Sequence, residues 1–249
     1  MKVSIITATF NREGTIKRAI KSIKGQLYRD IEVVIVDGAS ADGTMAVVKP
    51  LLSKNDSCVS EKDGGIYDAL NKGIERSSGE IIGFLHSDDI FYNDSVISKV
   101  VELFKDESVD VVYGDACFFR EGNVEKTVRY YRSPELSLKN LAWGQMPAHT
   151  AMFVRKSIYE HCGGFDTSYK ICGDYEFLCR LVSSVTPKSV YLPEKVVRMQ
   201  IGGVSTGGFK NTVILNREVL TSCRANGIYT NLFMILSKYP SKILQLIRR

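Results

Sequence analysis

An α/β fold on a mostly parallel mixed sheet, sandwiched by helices and followed by a C-terminal helical tail, is predicted by three features of this chain. Short apolar runs such as Val3–Ile6, Ile31–Val36 and Ile81–Leu85 alternate with segments of helical apolar spacing, the order that builds parallel sheets through right-handed crossovers. The second run is apolar except for Glu32, as expected of a strand covered on both faces. Each of the three runs stops at polar, carboxylate-bearing sequence, and in such sheets ligands sit outside the carboxyl ends of the strands.

Taken in order, Val3–Ile6 is a β-branched strand leading into Thr7-Ala8-Thr9-Phe10-Asn11-Arg12-Glu13. Ile16, Ala19, Ile20, Ile23 and Leu27 then recur on one helical face. The strand Ile31–Val36 ends at Asp37-Gly38-Ala39-Ser40-Ala41-Asp42-Gly43-Thr44, and Met45, Val48 and Leu52 mark the next helix. Ser60 to Gly73 joins a short third strand to a helix through Asp63-Gly64-Gly65, a pair of glycines that permits close backbone approach to a ligand or forms a plain turn. Ile81–Leu85 ends in His86-Ser87-Asp88-Asp89. Two adjacent carboxylates repel each other and resist desolvation, so a cation or a helix start is expected beside them. Asp94 is the expected N-cap of the helix carrying Val96, Ile97, Val100, Val101 and Phe104.

The second half continues with a strand at Val109–Tyr113 and a hairpin from Cys117 to Tyr131 around Glu121-Gly122-Asn123. Ser133-Pro134 is expected to open a short helix. A loop of ligand-capable groups, Trp143 to His149, precedes a strand at Thr150–Val154 and a brief helix. A further helix is entered at Asp174, where the helix dipole favours an ionised carboxylate. A strand at Val190–Arg198, the glycine-rich turn 202–208 and a long helix ending near Asn226-Gly227 complete the body. The predicted division is a main domain over 1–206, with halves at about 1–115 and 116–206, and an extension over 207–249.

Composition excludes several classes. With 44% hydrophobic and 24% charged residues, the chain is ordinary for a globular protein, so wholesale disorder is ruled out. The six cysteines include no Cys-x-x-Cys pair, which argues for a reducing cytosol over a disulfide framework or zinc site. Met1-Lys2-Val3-Ser4-Ile5 lacks the apolar core of a signal peptide, and no run is long enough to cross a bilayer. The net charge of +5 resides in the tail: Arg224, Lys238, Lys242, Arg248 and Arg249 are the only charges from Val219 onward, leaving 28 basic and 28 acidic residues over 1–218. A neutral body argues against nucleic acid as a partner. The tail mixes basic residues with Leu232-Phe233-Met234-Ile235-Leu236 and Ile243-Leu244-Gln245-Leu246-Ile247. It suits an anionic membrane surface, or else packs on the body or in a homodimer.

Four stations in order, Thr7-Ala8-Thr9-Phe10-Asn11, Asp37-Gly38-Ala39-Ser40-Ala41-Asp42, His86-Ser87-Asp88-Asp89 and Gly173-Asp174-Tyr175-Glu176, resemble the family 2 glycosyltransferases of GT-A fold, in particular bacterial surface-polysaccharide and O-antigen members. The likeness covers about residues 3–206. It implies a nucleotide-sugar donor, UDP-linked from the Asp37 context, and an inverting transfer. It implies that Thr7 and Thr9 line the nucleotide cleft, Glu13 sits beside ribose or base, and Asp37 accepts a hydrogen bond from the base. Asp63 and Gly64 would floor the base, with Ser87 in the same donor site. Asp88 would hold Mn²⁺ or Mg²⁺ on the diphosphate with Asp89 behind it, and Asp174 would be the general base.

The chain departs from the family pattern twice. His86 stands for the first Asp of Asp-x-Asp, where it can hydrogen-bond the ribose or diphosphate, ligate Mn²⁺, or simply pack beneath the pocket with a hydrogen bond. Gly173 stands for the Glu of Glu-Asp. Trp143 either stacks on a sugar or fills the core, and His149 contacts acceptor or diphosphate or caps its loop. The resemblance implies a lipid-linked, polyprenyl diphosphate saccharide as acceptor, hence a peripheral place on the cytoplasmic face of the inner membrane. Competing readings are a polyprenyl-phosphate sugar synthase, whose acceptor phosphate needs no base, and a non-catalytic nucleotide-sugar-binding protein. A nicotinamide oxidoreductase would need Gly-x-Gly-x-x-Gly after the first strand, which is absent.

Overall fold

In the computed structural model, which describes residues 1–202 and 208–237, one mixed sheet carries two hydrophobic layers. The first half supplies β1 (Val3–Thr9), β2 (Ile31–Asp37), β3 (Ser57–Ser60) and β4 (Ile81–Phe84), all mutually parallel in the order β3-β2-β1-β4. Helices α1 (Ile16–Lys24), α2 (Thr44–Val48) and α3 (Ile66–Arg76) connect them. The short β5 (Ile90–Phe91) and α4 (Val96–Phe104) lead into β6 (Val111–Phe119), which is paired by β7 (Arg129–Tyr131). Then follow α5 (Leu138–Ala142), β8 (Met152–Arg155), α6 (Lys156–Cys162), α7 (Gly173–Ser184), β9 (Ser189–Gln200), α8 (Gly208–Ala225) and α9 (Leu232–Leu236). The sheet runs β3-β2-β1-β4-β8-β6-β9-β5, antiparallel at β4–β8, β8–β6 and β9–β5 and parallel at β6–β9.

The two faces explain the sequence pattern. Ile16, Ala19, Ile20 and Ile23 of α1 and the apolar stripe of α4 cover one face; α3, α6, α7 and α8 cover the other. Strands covered on both faces need no polar alternation, so β2 is apolar from Ile31 to Val36 but for Glu32, and β1 is buried along its whole length with only Ser4, Thr7 and Thr9 polar. The exception, Glu32, is buried yet satisfied: it pairs with Lys2 at 2.5 Å and accepts from Ser4 Oγ at 2.7 Å and Ser78 N at 2.5 Å. At Gly73 a Cβ would strike Ile6, so α3 lies directly on β1. That close approach holds the start of α3 near the rim where the candidate site forms.

Several local expectations are corrected. Leu27 lies beyond α1, which ends at Lys24, and its side chain is exposed. Ser95, not Asp94, precedes α4, while the Asp94 carbonyl accepts from Leu27 N. Ser133-Pro134 opens no helix, because the Ser133 side chain is engaged elsewhere, donating to the Gly114 carbonyl while its N–H donates to Asp115. The short helix starts at α5, capped by Ser137, whose Oγ accepts from Asn140 N. Thr150 lies in a 3-10 turn before β8, and the strand expected at Val109–Tyr113 extends to Phe119 past an irregularity at Tyr113–Asp115. No helix among the described residues is long and apolar enough to cross a membrane. Residues 203–207 of the glycine-rich turn and the tail from Lys238 lie outside the described residues.

Candidate functional site

Parallel registry brings the stations to one edge. Thr9 is level with Asp37, and Asp37 with Ser60, while Ile6 is level with Phe84 just before the His86 turn. Asp37 is fully buried, and its carboxylate accepts from Ser40 N at 3.0 Å, from Ser40 Oγ and from Ser60 Oγ at 2.6 Å. The loops after β1 and β2 are laced together. Asn11 N donates to Ser40 Oγ at 2.8 Å, Ala41 N to Asn11 Oδ1 at 2.9 Å, and Gly43 N to Glu13 Oε2 at 3.0 Å. Asn11 and Ala39 adopt positive φ to make these contacts. Glu13 and Asp37 therefore spend their carboxylates on loop structure. Thr7 and Thr9 are buried beside them, with both hydroxyls unpartnered among the described residues.

Asp63 Oδ1 accepts from Gly65 N at 3.0 Å, and its other oxygen lies 2.6 Å from where a Cβ at Gly38 would stand. Gly64 N donates to Asp68 at 2.9 Å. The glycines thus let Asp63 fold over the end of β2.

The third station turns tightly after β4, with Asp89 N donating to the His86 carbonyl at 3.0 Å. Ser87 and Asp89 are buried, whereas His86 and Asp88 are half-buried. Arg18 of α1 donates to the Asp88 carbonyl at 2.7 Å and to Gln200 Oε1. Gln200 N donates to Asp89 Oδ1 at 2.9 Å, so β9 and α1 brace the turn from behind. Burial, reinforced by the neighbouring Asp88 charge, raises the Asp89 carboxyl well above the usual range. Burial lowers the His86 imidazole against the opposing pull of Asp88. His149, in the loop before β8, is pushed down to about 3 by burial and by His86, and its Nε2 is buried without a partner among the described residues. Both imidazoles are neutral at pH 7, which leaves a nitrogen lone pair on each.

A row of rings links this turn to the fourth station. His149 stands 6.1 Å from His86, 4.7 Å from Phe84 and 5.6 Å from Phe165, and Phe165 stands 5.8 Å from Tyr67. The Tyr67 hydroxyl reaches 3.4 Å from Asp174 Oδ1. Asp174 lies in the first turn of α7 and also accepts from Tyr175 N at 2.8 Å. Contrary to the helix-dipole expectation, its pKa is raised, to about 6, because burial outweighs these two donors. The carboxylate is still mostly ionised at pH 7, and it can take a proton. Glu218 of α8 accepts from Lys170 N at 2.9 Å, Ile171 N at 2.9 Å and Cys172 N at 2.8 Å, and so fixes the approach to α7. Trp143 ends α5, half-buried against the core that holds α7.

Sequence reading passed over Tyr67, Arg18, Gln200 and Glu218. Tyr67 gave a usable signal, since a tyrosine on an apolar helix face needs a hydroxyl partner. The others act through backbone groups that no spacing reveals.

The donor set can be weighed against a divalent cation. Among the described residues no three His, Cys, Asp or Glu side chains form a ready cage. Mg²⁺ and Mn²⁺ bound on a diphosphate need only one or two carboxylates, because phosphate and water oxygens complete the shell. Asp88 beside the neutral His86, with His149 6.1 Å beyond that imidazole and the unpartnered Oδ2 of Asp89 behind, fits that lesser demand.

Known proteins show the family and the fold. The profile of Glycosyl transferase family 2 matches residues 4–163. An uncharacterised glycosyltransferase of Mycobacterium tuberculosis is 33% identical over 191 residues, covering 76% of this chain and 71% of that protein. A PGL/p-HBAD biosynthesis glycosyltransferase of Mycobacterium bovis is 26% identical over 85% of this chain and 80% of its own. Among solved structures, S. aureus TarS 1–349 in complex with UDP-GlcNAc superposes with a TM-score of 0.69 at 20% identity, over 89% of this chain and 66% of that one. The mannosyltransferase PcManGT from Pyrobaculum calidifontis, in complex with GDP-Man and Mn²⁺, gives 0.65 at 20% identity over 91% and 64%. The chain spans just under two thirds of each of these two structures, and at such identity they speak to the fold.

Proposed function

Because the chain belongs to glycosyl transferase family 2, we propose that this glycosyltransferase moves a sugar from a UDP-sugar to a hydroxyl of a lipid-linked saccharide, with inversion, in bacterial surface-polysaccharide synthesis. The observation that carries this reading is Asp174: a half-buried carboxylate with a pKa near 6, joined by a row of rings to the Asp88 turn. A general base works best when its pKa lies close to the operating pH.

In this reading the acceptor hydroxyl attacks the anomeric carbon on the face opposite the diphosphate. Its proton passes to Asp174, and the bond from the anomeric carbon to the diphosphate oxygen breaks with its electron pair leaving on UDP. Thr7, Thr9, Glu13, Asp37, Asp63 and Gly64 shape the nucleotide pocket, Glu13 and Asp37 chiefly by holding the loops. His86, Ser87 and Asp88 face the diphosphate. Asp88, with His86 or His149 at hand, would hold Mn²⁺ or Mg²⁺, which supplies charge neutralisation for the departing diphosphate. Asp89 supports this turn, and Trp143 and His149 belong to the acceptor side. The donor complex of TarS and the Mn²⁺ complex of PcManGT support a nucleotide-sugar donor and a divalent metal here. A lipid-linked acceptor would place the protein on the cytoplasmic leaflet, with the basic tail toward it.

The test is transfer from UDP-sugars to synthetic polyprenyl-diphosphate saccharides with Mn²⁺ or Mg²⁺. Asp174→Asn should abolish transfer while retaining UDP binding. Activity retained in that variant would instead favour a phosphate acceptor, which needs no base.

A further inference from the structure

From Ile228 to Ser237 the chain carries no charged side chain, yet much of this segment faces outward. Tyr229 is 80% exposed and Phe233 78%. The short α9 turns Ile235 into the core and leaves Leu232, Phe233 and Leu236 exposed on its outer side. The segment is firmly built: Asn231 caps α9 by accepting from Met234 N at 2.9 Å, and Thr230 Oγ1 donates to the Ala142 carbonyl at 2.6 Å. That second bond ties it to α5, whose Leu138 and Lys139 are also exposed. Leu138, Lys139, Ile228 and Tyr229 together line a groove of about 470 Å³ between α5 and the end of α8. The result is an apolar face tied to the body by hydrogen bonds, with Lys139 at its groove.

We propose that this face is a docking surface for an anionic lipid bilayer, into which Tyr229, Leu232, Phe233 and Leu236 insert. A contiguous apolar patch held by hydrogen bonds marks an interaction site, and exposed aromatic rings beside cations suit the headgroup boundary. Charge selects the occupant. Residues 219–249 hold five basic side chains and no acidic one. In a two-fold dimer the same patch meets itself, so Lys139 in the groove would approach like charge and the basic sequence that follows would be doubled, whereas an anionic leaflet complements both. The docked face lies beside α5 and the C-terminal end of α7, where Ser183 lines the groove. The inference deepens the lipid-linked acceptor reading and rests on it for the identity of the surface, but it is tested without any sugar transfer, so the two can fail separately.

The experiment is co-sedimentation of the full chain with vesicles of phosphatidylcholine alone or mixed with phosphatidylglycerol. Binding is expected only to the mixed vesicles and should weaken with salt. The double variant Tyr229→Ser/Phe233→Ser should lose binding at least about tenfold, the effect of withdrawing two rings from the interface. Its UDP binding and unfolding midpoint should stay unchanged, since both side chains are exposed. Leu232→Ser/Leu236→Ser repeats the test should the first variant misfold. Equal binding by the variants, or no binding to the mixed vesicles, would overturn the proposal. A dimer that these substitutions dissolve, without vesicle binding, would assign the face to a second copy of the chain.

Discussion

The Tyr67 hydroxyl lies 3.4 Å from Asp174 Oδ1 while donating to the Ile171 carbonyl at 2.6 Å, so α3 reaches across to set the first turn of α7. Tyr67→Phe keeps the ring and its contact with Phe165 but removes one of the three groups that hold the Asp174 pKa down. The acid limb of kcat/KM, expected near pH 6 in the parent, should move up by about half a pH unit at most, less than a full hydrogen bond of about 1 kcal/mol, because the hydroxyl proton is shared with the Ile171 carbonyl. An unmoved limb with reduced kcat would mean that Tyr67 acts only through packing.

Asp174 itself should trade stability for function. Its folded pKa lies above the unfolded value, so the ionised form is destabilised by burial. This cost is absent below about pH 4, develops as pH rises through about 6, and is complete above that. Asp174→Asn should therefore raise stability at pH 7 by about 1–2 kcal/mol, after discounting for partial exposure, while abolishing transfer. Urea unfolding of both proteins at pH 4 and pH 7 checks the sign, because the two should converge at the lower pH.

Gly173, where the family pattern has Glu, is explained by its neighbour: a Cβ there would stand 2.8 Å from the Tyr67 ring. Restoring the family residue should therefore harm this protein. Gly173→Glu is expected to destabilise by about 1–3 kcal/mol through overpacking. Combined with Tyr67→Ala it should cost less than the sum of the two single changes, a coupling that thermal unfolding of the four proteins would measure.

Glu32 gives the opposite pH signature. Its bonds with Lys2, Ser4 and Ser78 overcome burial and hold its pKa at about 2. A folded pKa below the unfolded one stabilises fully above about pH 4.5, and the contribution is lost as pH falls toward 2. Glu32→Gln should cost about 2–3 kcal/mol at pH 7 and flatten the acid-unfolding profile across that window. A parallel loss at every pH would count against the charge itself.

Much of this was legible because two-faced burial leaves a plain mark. Apolar runs at β1, β2 and β4, each ending in polar sequence, announced the parallel half and its rim, and four spaced stations pointed to the family. The helix at Ser133-Pro134 was misjudged since the Ser133 hydroxyl serves the Gly114 carbonyl across the fold, a contact that local propensity ignores. The helix dipole predicts an ionised Asp174, which holds at pH 7, but its pKa is raised rather than lowered because burial outweighs the helix start, and burial is a property of the assembled fold. Tyr67 and Glu218 stayed hidden for the same reason, being 107 and 46 residues from Asp174 and Cys172 in sequence.

The remaining test concerns the two departures at the Asp88 turn. If Asp88 supplies the main oxygen toward the cation and His86 stands where the family has a carboxylate, the two side chains should respond differently. Asp88→Ala removes the half-exposed carboxylate but leaves the backbone that Arg18 and the Asp89–Gln200 bond hold in place. UDP binding measured by calorimetry with Mn²⁺ should weaken at least about tenfold, or 1.4 kcal/mol, whereas binding without metal should barely change. His86→Asp should keep the Mn²⁺ effect and improve Mg²⁺, since carboxylate suits the harder ion better than imidazole. It also adds a second negative charge beside Asp88, so metal-free UDP binding should fall through repulsion of the diphosphate. An Asp88→Ala protein that still gained affinity from Mn²⁺ would move the metal post elsewhere, with His149 and Asp89 as the next side chains to change.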